Sequence, residues 1–132
     1  MKQHKLVRTG LHNDVTLQHF EWGQMFLLKE TNRVYVLWKD GMWASYQDDW
    51  QPALPESDPD IVSPSPGKLY QPVRSLGRVW REQLNGPKSW IGWAIEESHS
   101  THADIESFVN GMFISLNEII LILYEDGTWI QE

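Results

Sequence analysis

One pattern is written twice in this chain, and it constrains the fold more than any other feature of the sequence. From Phe20 to Trp43, and again from Phe108 to Trp129, the order is Phe-x-x-Gly, Met-Phe, an apolar run, a polar turn, a second apolar run and Asp-Gly-x-Trp. Asp40-Gly41-Met42-Trp43 aligns with Asp126-Gly127-Thr128-Trp129, and counting back sets Trp38, Leu37 and Val36 opposite Tyr124, Leu123 and Ile122. On this alignment the second copy is one residue shorter after Gly111 and about two shorter at its first turn, as hairpin loops vary.

Each copy reads as a three-stranded antiparallel meander. Asp-Gly between apolar runs is a strong hairpin signal, read here as a type I′ turn with positive φ at both central residues. Thr31-Asn32 and Asn117-Glu118 supply the other turns. The second strand of each copy is apolar at nearly every position, so both of its faces are expected to be covered. Three strands with two apolar faces need a partner, and the nearest partner is the other copy. The expected fold is mainly β: two pseudo-repeated three-stranded antiparallel meanders packed together, roughly residues 18–50 and 106–132 of a single domain 1–132.

Between the copies, residues 51–68 carry five prolines, which bars helix or central strand and predicts an extended, surface-running crossover. Residues 75–85 then read as an amphipathic helix, with Leu76, Val79, Trp80 and Leu84 as its apolar stripe, Ser75 as N-cap and Asn85-Gly86-Pro87 as its stop. A second short helix is expected over Ala103 to Val109, from a capping box of Thr101 and Asp104.

At 132 residues the chain suits one domain with a real core. It has no cysteine, which excludes disulfides, thiolate metal sites and cysteine nucleophiles. No segment approaches the roughly 18 apolar residues of a transmembrane helix, so no membrane insertion is expected. The N-terminus lacks a signal-peptide apolar run. The expected compartment is the cytoplasm if Met1 is the native start, and the cell surface or beyond if the chain is a domain of a longer exported protein. The net charge of −7 is unevenly spread: residues 91–132 hold eight acids and no Lys or Arg, whereas residues 67–90 hold five bases against one acid. Only that middle segment is basic, so nucleic acid is disfavoured as a partner.

The stretches Gln71-Pro72-Val73-Arg74, Gly77-Arg78-Val79-Trp80, Ile91-Gly92-Trp93-Ala94, Phe108-Val109-Asn110-Gly111-Met112 and Asp126-Gly127-Thr128-Trp129 resemble the Trp/Gly-rich repeats of uncharacterised bacterial proteins, often surface or secreted ones. The likeness covers most of residues 18–132. More distantly, the chain is similar to the LGFP repeats of cell-wall-associated proteins, though Ile91-Gly92-Trp93-Ala94 departs from that motif at its first, third and fourth letters. The resemblance implies attachment to a cell envelope or its glycans and carries over no catalytic residue.

Eight tryptophans make stacking surfaces the first candidates for a site, since indoles suit sugars, choline-type cations and protein hot spots. Most are expected to fill the core between the meanders. Trp43, Tyr46, Trp50 and Trp129, beside the Asp-Gly turns, are the ligand-binding candidates, with Asp48 and Asp49 between the aromatics of the first turn. Regular alternation puts Trp43 on one face of its strand and Tyr46 and Trp50 on the other. Arg74, Arg78 and Arg81 form a basic stripe able to take an anion, or to face the acids of the same chain. His99 and His102 sit among carboxylates, but their spacing is not that of a metalloprotease, and no metal is expected.

No Gly-x-Ser-x-Gly, P-loop or dinucleotide fingerprint is present, so no cofactor is expected, and a small hydrolase ranks as the third reading behind two non-catalytic ones. The functional expectation is a non-catalytic binding module whose aromatic-rich surface meets a cell-envelope glycan or a protein partner near the two Asp-Gly-x-Trp turns. The alternative is a small acidic cytosolic interaction or inhibitor protein that captures a basic partner. A shortened last strand also exposes an edge that a second copy would cover, giving a homo-oligomer.

Overall fold

The two copies build one ring of strands. The computed structural model describes residues 6–8 and 12–132, with side chains from Asn13 onward. The described strands are β1 (Leu6–Arg8), β2 (His12–Phe20), β3 (Gly23–Leu28), β4 (Arg33–Trp38), β5 (Trp43–Gln47), β6 (His99–Phe108), β7 (Gly111–Leu116), β8 (Ile119–Tyr124) and β9 (Trp129–Gln131). They form a single antiparallel sheet in the order β5-β4-β3-β2-β6-β7-β8-β9, with β1 lying against β6 beyond the end of β2. Each meander thus has the three expected strands and gains a leading fourth, and β2 and β6 join the copies edge to edge. The far edges meet at the two Asp-Gly turns. There the Trp43 amide donates to the Gly127 carbonyl, the Trp129 amide donates to the Gly41 carbonyl, and Met42 bridges Thr128.

Registers show how closely the copies correspond. Phe20 pairs with Gly23 and Gly23 with Trp38; Phe108 pairs with Gly111 and Gly111 with Tyr124. Both glycines are required, because a Cβ on Gly23 would collide with the Leu37 carbonyl and one on Gly111 with the Leu123 carbonyl. Asp14 pairs with His102, its own counterpart, which places a pseudo-twofold axis through that pair and through the Met42–Thr128 bridge. The correspondence reaches past the written repeat: β1 sets Leu6 beside Phe108, and an isolated bridge sets Ala94 beside Phe20.

Three expectations about the strands and their turns change. The missing residue after Gly111 does not exist: β3 and β7 are both six residues long, and the shortening lies in the turn, Leu28↔Arg33 being closed by four residues and Leu116↔Ile119 by two. The Met-Phe pairs are therefore one step out of phase, so Phe26 lies inside the ring while Phe113 lies outside. The Asp-Gly turns are not type I′. The amides of Gly41 and Gly127 donate to the carbonyls of Trp38 and Tyr124, with positive φ at the glycines (95° and 92°) and at neither aspartate, as in three-residue hairpin loops closed by a glycine bulge. The type I′ dihedrals occur at Asn117-Glu118 instead, with φ of 50° and 68°. Finally, Ala103–Val109 is not a helix but mostly part of β6, with Ala103 and Ile105 buried and Asp104 exposed. Period-two alternation and ladders to β2 and β7 outweigh the local capping signal.

The ring's interior is one shared core. Val15, Leu17, Phe26, Leu28, Tyr35 and Leu37 from the first copy meet Ala103, Ile105, Ile114, Leu116, Leu121 and Leu123 from the second, with Trp43, Met112 and Trp129 packed against them. Each fully buried aliphatic side chain contributes about 1.5–3 kcal/mol here. Burial also pushes the Tyr35 hydroxyl above its ordinary pKa, against the opposing charge of Arg33.

Outside the ring the copies differ. Helix α1 (Arg74–Glu82) lies over β3 and β4, with Leu76, Val79 and Trp80 buried on Met25, Leu27, Val34 and Val36. Its N-cap is Val73 rather than Ser75, whose hydroxyl donates instead to Asp48 Oδ2 at 2.8 Å. The proline-rich crossover carries neither helix nor strand and is pinned by Gln71, which accepts from the Asp58 amide and donates to the carbonyls of Asp58 and Ile61.

Candidate functional site

Tryptophan placement separates structural indoles from available ones. Trp43 and Trp129 point inward and latch the seam: the Trp43 indole N–H donates to the Tyr124 carbonyl, and the Trp129 indole N–H donates to that of Trp38, both at 2.8 Å. Trp38 and Tyr124 are equivalent positions, so the latches are reciprocal. Trp80 is fully buried, donates to the Gly92 carbonyl and leans on Trp93 with ring centroids 5.3 Å apart. Trp50 donates to the Pro55 carbonyl.

Three others gather at the first Asp-Gly corner. Trp90, on the segment after the short 3-10 turn Gly86–Lys88, is 86% exposed, and Trp22, in the turn between β2 and β3, is 61% exposed. With Trp38 they wall a recess of about 200 Å³ whose remaining lining is Lys39 and Asp40. On the other side of Trp38 and Trp90 is a second recess of about 280 Å³, lined by Tyr46, Gln83, Leu84, Asn85, Lys88 and Ser89. The two recesses share an aromatic partition. The indole N–H groups of Trp22, Trp38 and Trp90 have no acceptor among the described residues, leaving them free to donate outward.

The backbone explains why these rings are displayed. Trp22 sits at a hairpin apex whose ends are tied down: its amide donates to the Ile91 carbonyl and its own carbonyl accepts from the Lys39 amide. Lys39 Nζ donates to the Glu21 carbonyl at 2.9 Å and lies 5.6 Å from the centroid of the Trp22 ring. Asp40 Oδ1 accepts from the Met42 amide, which fixes its carboxylate at the rim.

The sequence candidates scatter around this corner. Tyr46 faces outward, opposite in sense to Trp43 as alternation requires, and borders the second recess. Asp48, Trp50 and Arg74 line a different cleft of about 550 Å³, shared with Lys29, Ser75 and His99 near the start of α1. The basic stripe is largely engaged internally: Arg74 with Glu56 at 2.8 Å, and Arg78 with Asp49 at 2.7 Å and Glu82 at 3.7 Å. Arg81 has one guanidinium nitrogen, Nη1, buried without a hydrogen-bond partner, and burial pushes its pKa down against the opposing charge of Asp58. Such exposed pairs contribute about 1 kcal/mol or less each.

His102 Nε2 lies 3.0 Å from Asp14, and Glu96 stands between His19 at 2.8 Å and His99 at 3.6 Å. Burial works to raise the Glu96 pKa, but hydrogen bonds from the His19 ring and amide, with the charges of His19 and His99, outweigh it and hold the carboxyl below its ordinary range. Among the described residues, no group of three or more His, Cys, Asp or Glu is placed to hold a metal ion. No described helix is long and apolar enough to cross a membrane.

Sequence reasoning passed over Trp22, Trp38 and Trp90. A usable signal existed for two of them: Trp22 lies inside the Phe-x-x-Gly turn, and Trp90 follows Gly86-Pro87-Lys88-Ser89, outside any periodic apolar run. A large apolar residue at a turn apex has no strand face to bury against. No protein-family model, curated protein or solved structure matches this chain.

Proposed function

We propose that the protein is a non-catalytic binding module that takes a glycan on the aromatic corner formed by Trp22, Trp38 and Trp90. The observation that carries this reading is the pair of recesses on either side of the Trp38–Trp90 partition, each on the scale of a sugar ring. Indole faces there offer stacking to the C–H faces of a pyranose, while Gln83, Asn85, Ser89 and Asp40 offer hydrogen bonds to its hydroxyls. The resemblance of the sequence to bacterial surface repeats favours an envelope glycan as the source.

The test is a glycan array followed by titration of each hit into the protein and its Trp90→Ala variant. Trp90 lies outside the core, so the variant keeps its fold while losing at least about tenfold in affinity. Unchanged affinity in the variant, or no saccharide hit at all, removes this reading.

A second reading has one specific feature in its favour. The second Asp-Gly corner forms a recess of about 400 Å³ lined by Asn110, Tyr124, Glu125 and Asp126, in the C-terminal third of the chain, which has no Lys or Arg. Capture of a basic protein there would weaken steeply with added salt, whereas stacking on a sugar would not.

A further inference from the structure

The recess walled by Trp22, Trp38 and Trp90 has a chemistry that sugar stacking leaves unused. The three indoles line one cavity of about 200 Å³, yet no ring contact joins any two of them among the described residues. They surround a gap rather than stack on one another. Their faces carry the negative lobe of the ring quadrupole, and the Asp40 carboxylate lies at the rim.

A cation already stands at the edge of the gap. Lys39 Nζ lies 5.6 Å from the Trp22 centroid, within cation–π range, and a hydrogen bond to the Glu21 carbonyl ties it there. We propose that this recess is a cage for a quaternary ammonium head group, and that Lys39 is a resident cation which the ligand displaces from the Trp22 face. The inference rests on the aromatic corner being the binding surface and adds a cationic head group to what that corner takes.

Two arguments favour a methylated ammonium over other charges. A primary ammonium brings three N–H donors, and the cavity lining supplies one carboxylate, already engaged by the Met42 amide. A methylated nitrogen brings no donor and spreads its charge over an apolar surface that suits indole faces. An anion, by contrast, would meet three electron-rich faces and Asp40, against a single lysine already bonded elsewhere. The second corner serves as an internal control, since Asn110, Tyr124, Glu125 and Asp126 present charge there with a single aromatic ring.

The experiment is a titration of choline, and separately of its uncharged isostere in which tert-butyl replaces trimethylammonium, followed by the indole N–H NMR signals of the intact protein. Choline is expected to move the signals of Trp22, Trp38 and Trp90, and the isostere to bind about tenfold more weakly. Lys39→Met removes the competing cation and is expected to tighten choline binding several-fold; Trp90→Ala is expected to abolish it. Equal binding of the isostere, unmoved Trp22, Trp38 and Trp90 signals, or unchanged or weaker choline affinity in Lys39→Met each overturns the cage. If choline fails while a saccharide still moves the Trp90 signal, only the cage is lost. If neither moves it, the aromatic corner falls as well.

Discussion

The two Asp-Gly corners share one backbone and differ in almost every side chain that faces outward. Trp22, Trp38 and Lys39 of the first correspond to Asn110, Tyr124 and Glu125 of the second, and both loops close with the same amide-to-carbonyl pattern. Asp40 and Asp126 even accept the same hydrogen bond, from the amides of Met42 and Thr128, at 3.0 Å. Identical scaffolding with unlike surfaces shows that the hairpin geometry is demanded by the ring, not by a ligand. What the first copy adds is cover: the inserted segment lays α1 on its outer face and hangs Trp90 over its corner, while Ile120 and Ile130 of the second copy stay 38% and 45% exposed.

The largest effect should come from removing that cover's anchor. Trp80→Ala is expected to cost about 3–5 kcal/mol in denaturant unfolding, because the indole is wholly buried and its N–H is bonded. Ile130→Ala, on the uncovered copy, should cost well under about 1 kcal/mol. Similar values for the two would erase the distinction between covered and bare faces.

Next come Gly23→Ala and Gly111→Ala, each expected to cost about 1–3 kcal/mol because an equivalent carbonyl blocks the new methyl. Gly111→Ala should cost the more of the two, because the Phe108 ring also crowds the new methyl there; equal values would show that this aromatic ring gives way. Smaller again are Trp43→Phe and Trp129→Phe, each losing one reciprocal latch at about 1 kcal/mol for the hydrogen bond, with the ring volume largely kept.

The smallest effect concerns Glu96, which belongs to the segment joining the inserted cover to β6. Its folded pKa is lowered, so its contribution is present above the carboxyl's unfolded pKa and is lost as pH falls through the folded value. Glu96→Gln should therefore lower the melting temperature slightly at neutral pH, and the gap from the parent should close in acid below the usual carboxylate range. A gap that persists there would assign the effect to packing rather than charge.

Much of this architecture was legible because hairpins are local. The paired Phe-x-x-Gly and Asp-Gly-x-Trp signals, the proline-rich break and the Leu76-Val79-Trp80 stripe each act over a few residues. The errors arose where distant partners decide. A capping box at Thr101 is a local preference, and pairing of His99–Phe108 with strands on both of its sides overrides it. Matching Met25-Phe26 to Met112-Phe113 by identity hid a one-residue slip, which in a strand sends every side chain to the opposite face. Of the candidate site residues, Trp43 and Trp129 flank the turns in the sequence, but closure of the ring turns them inward. The corner formed by exposed Trp22 and Trp90 with half-buried Trp38 could be read from neither copy alone, because Trp90 arrives from the insertion.

The crossed indole latches have a dynamic consequence. Since each copy holds the other by the same bond across one joint, neither can let go by itself without leaving the other's anchor unsupported. Amide hydrogen exchange at Trp43 and Trp129 should then report a single opening event, with closely matched protection at both ends of the joint.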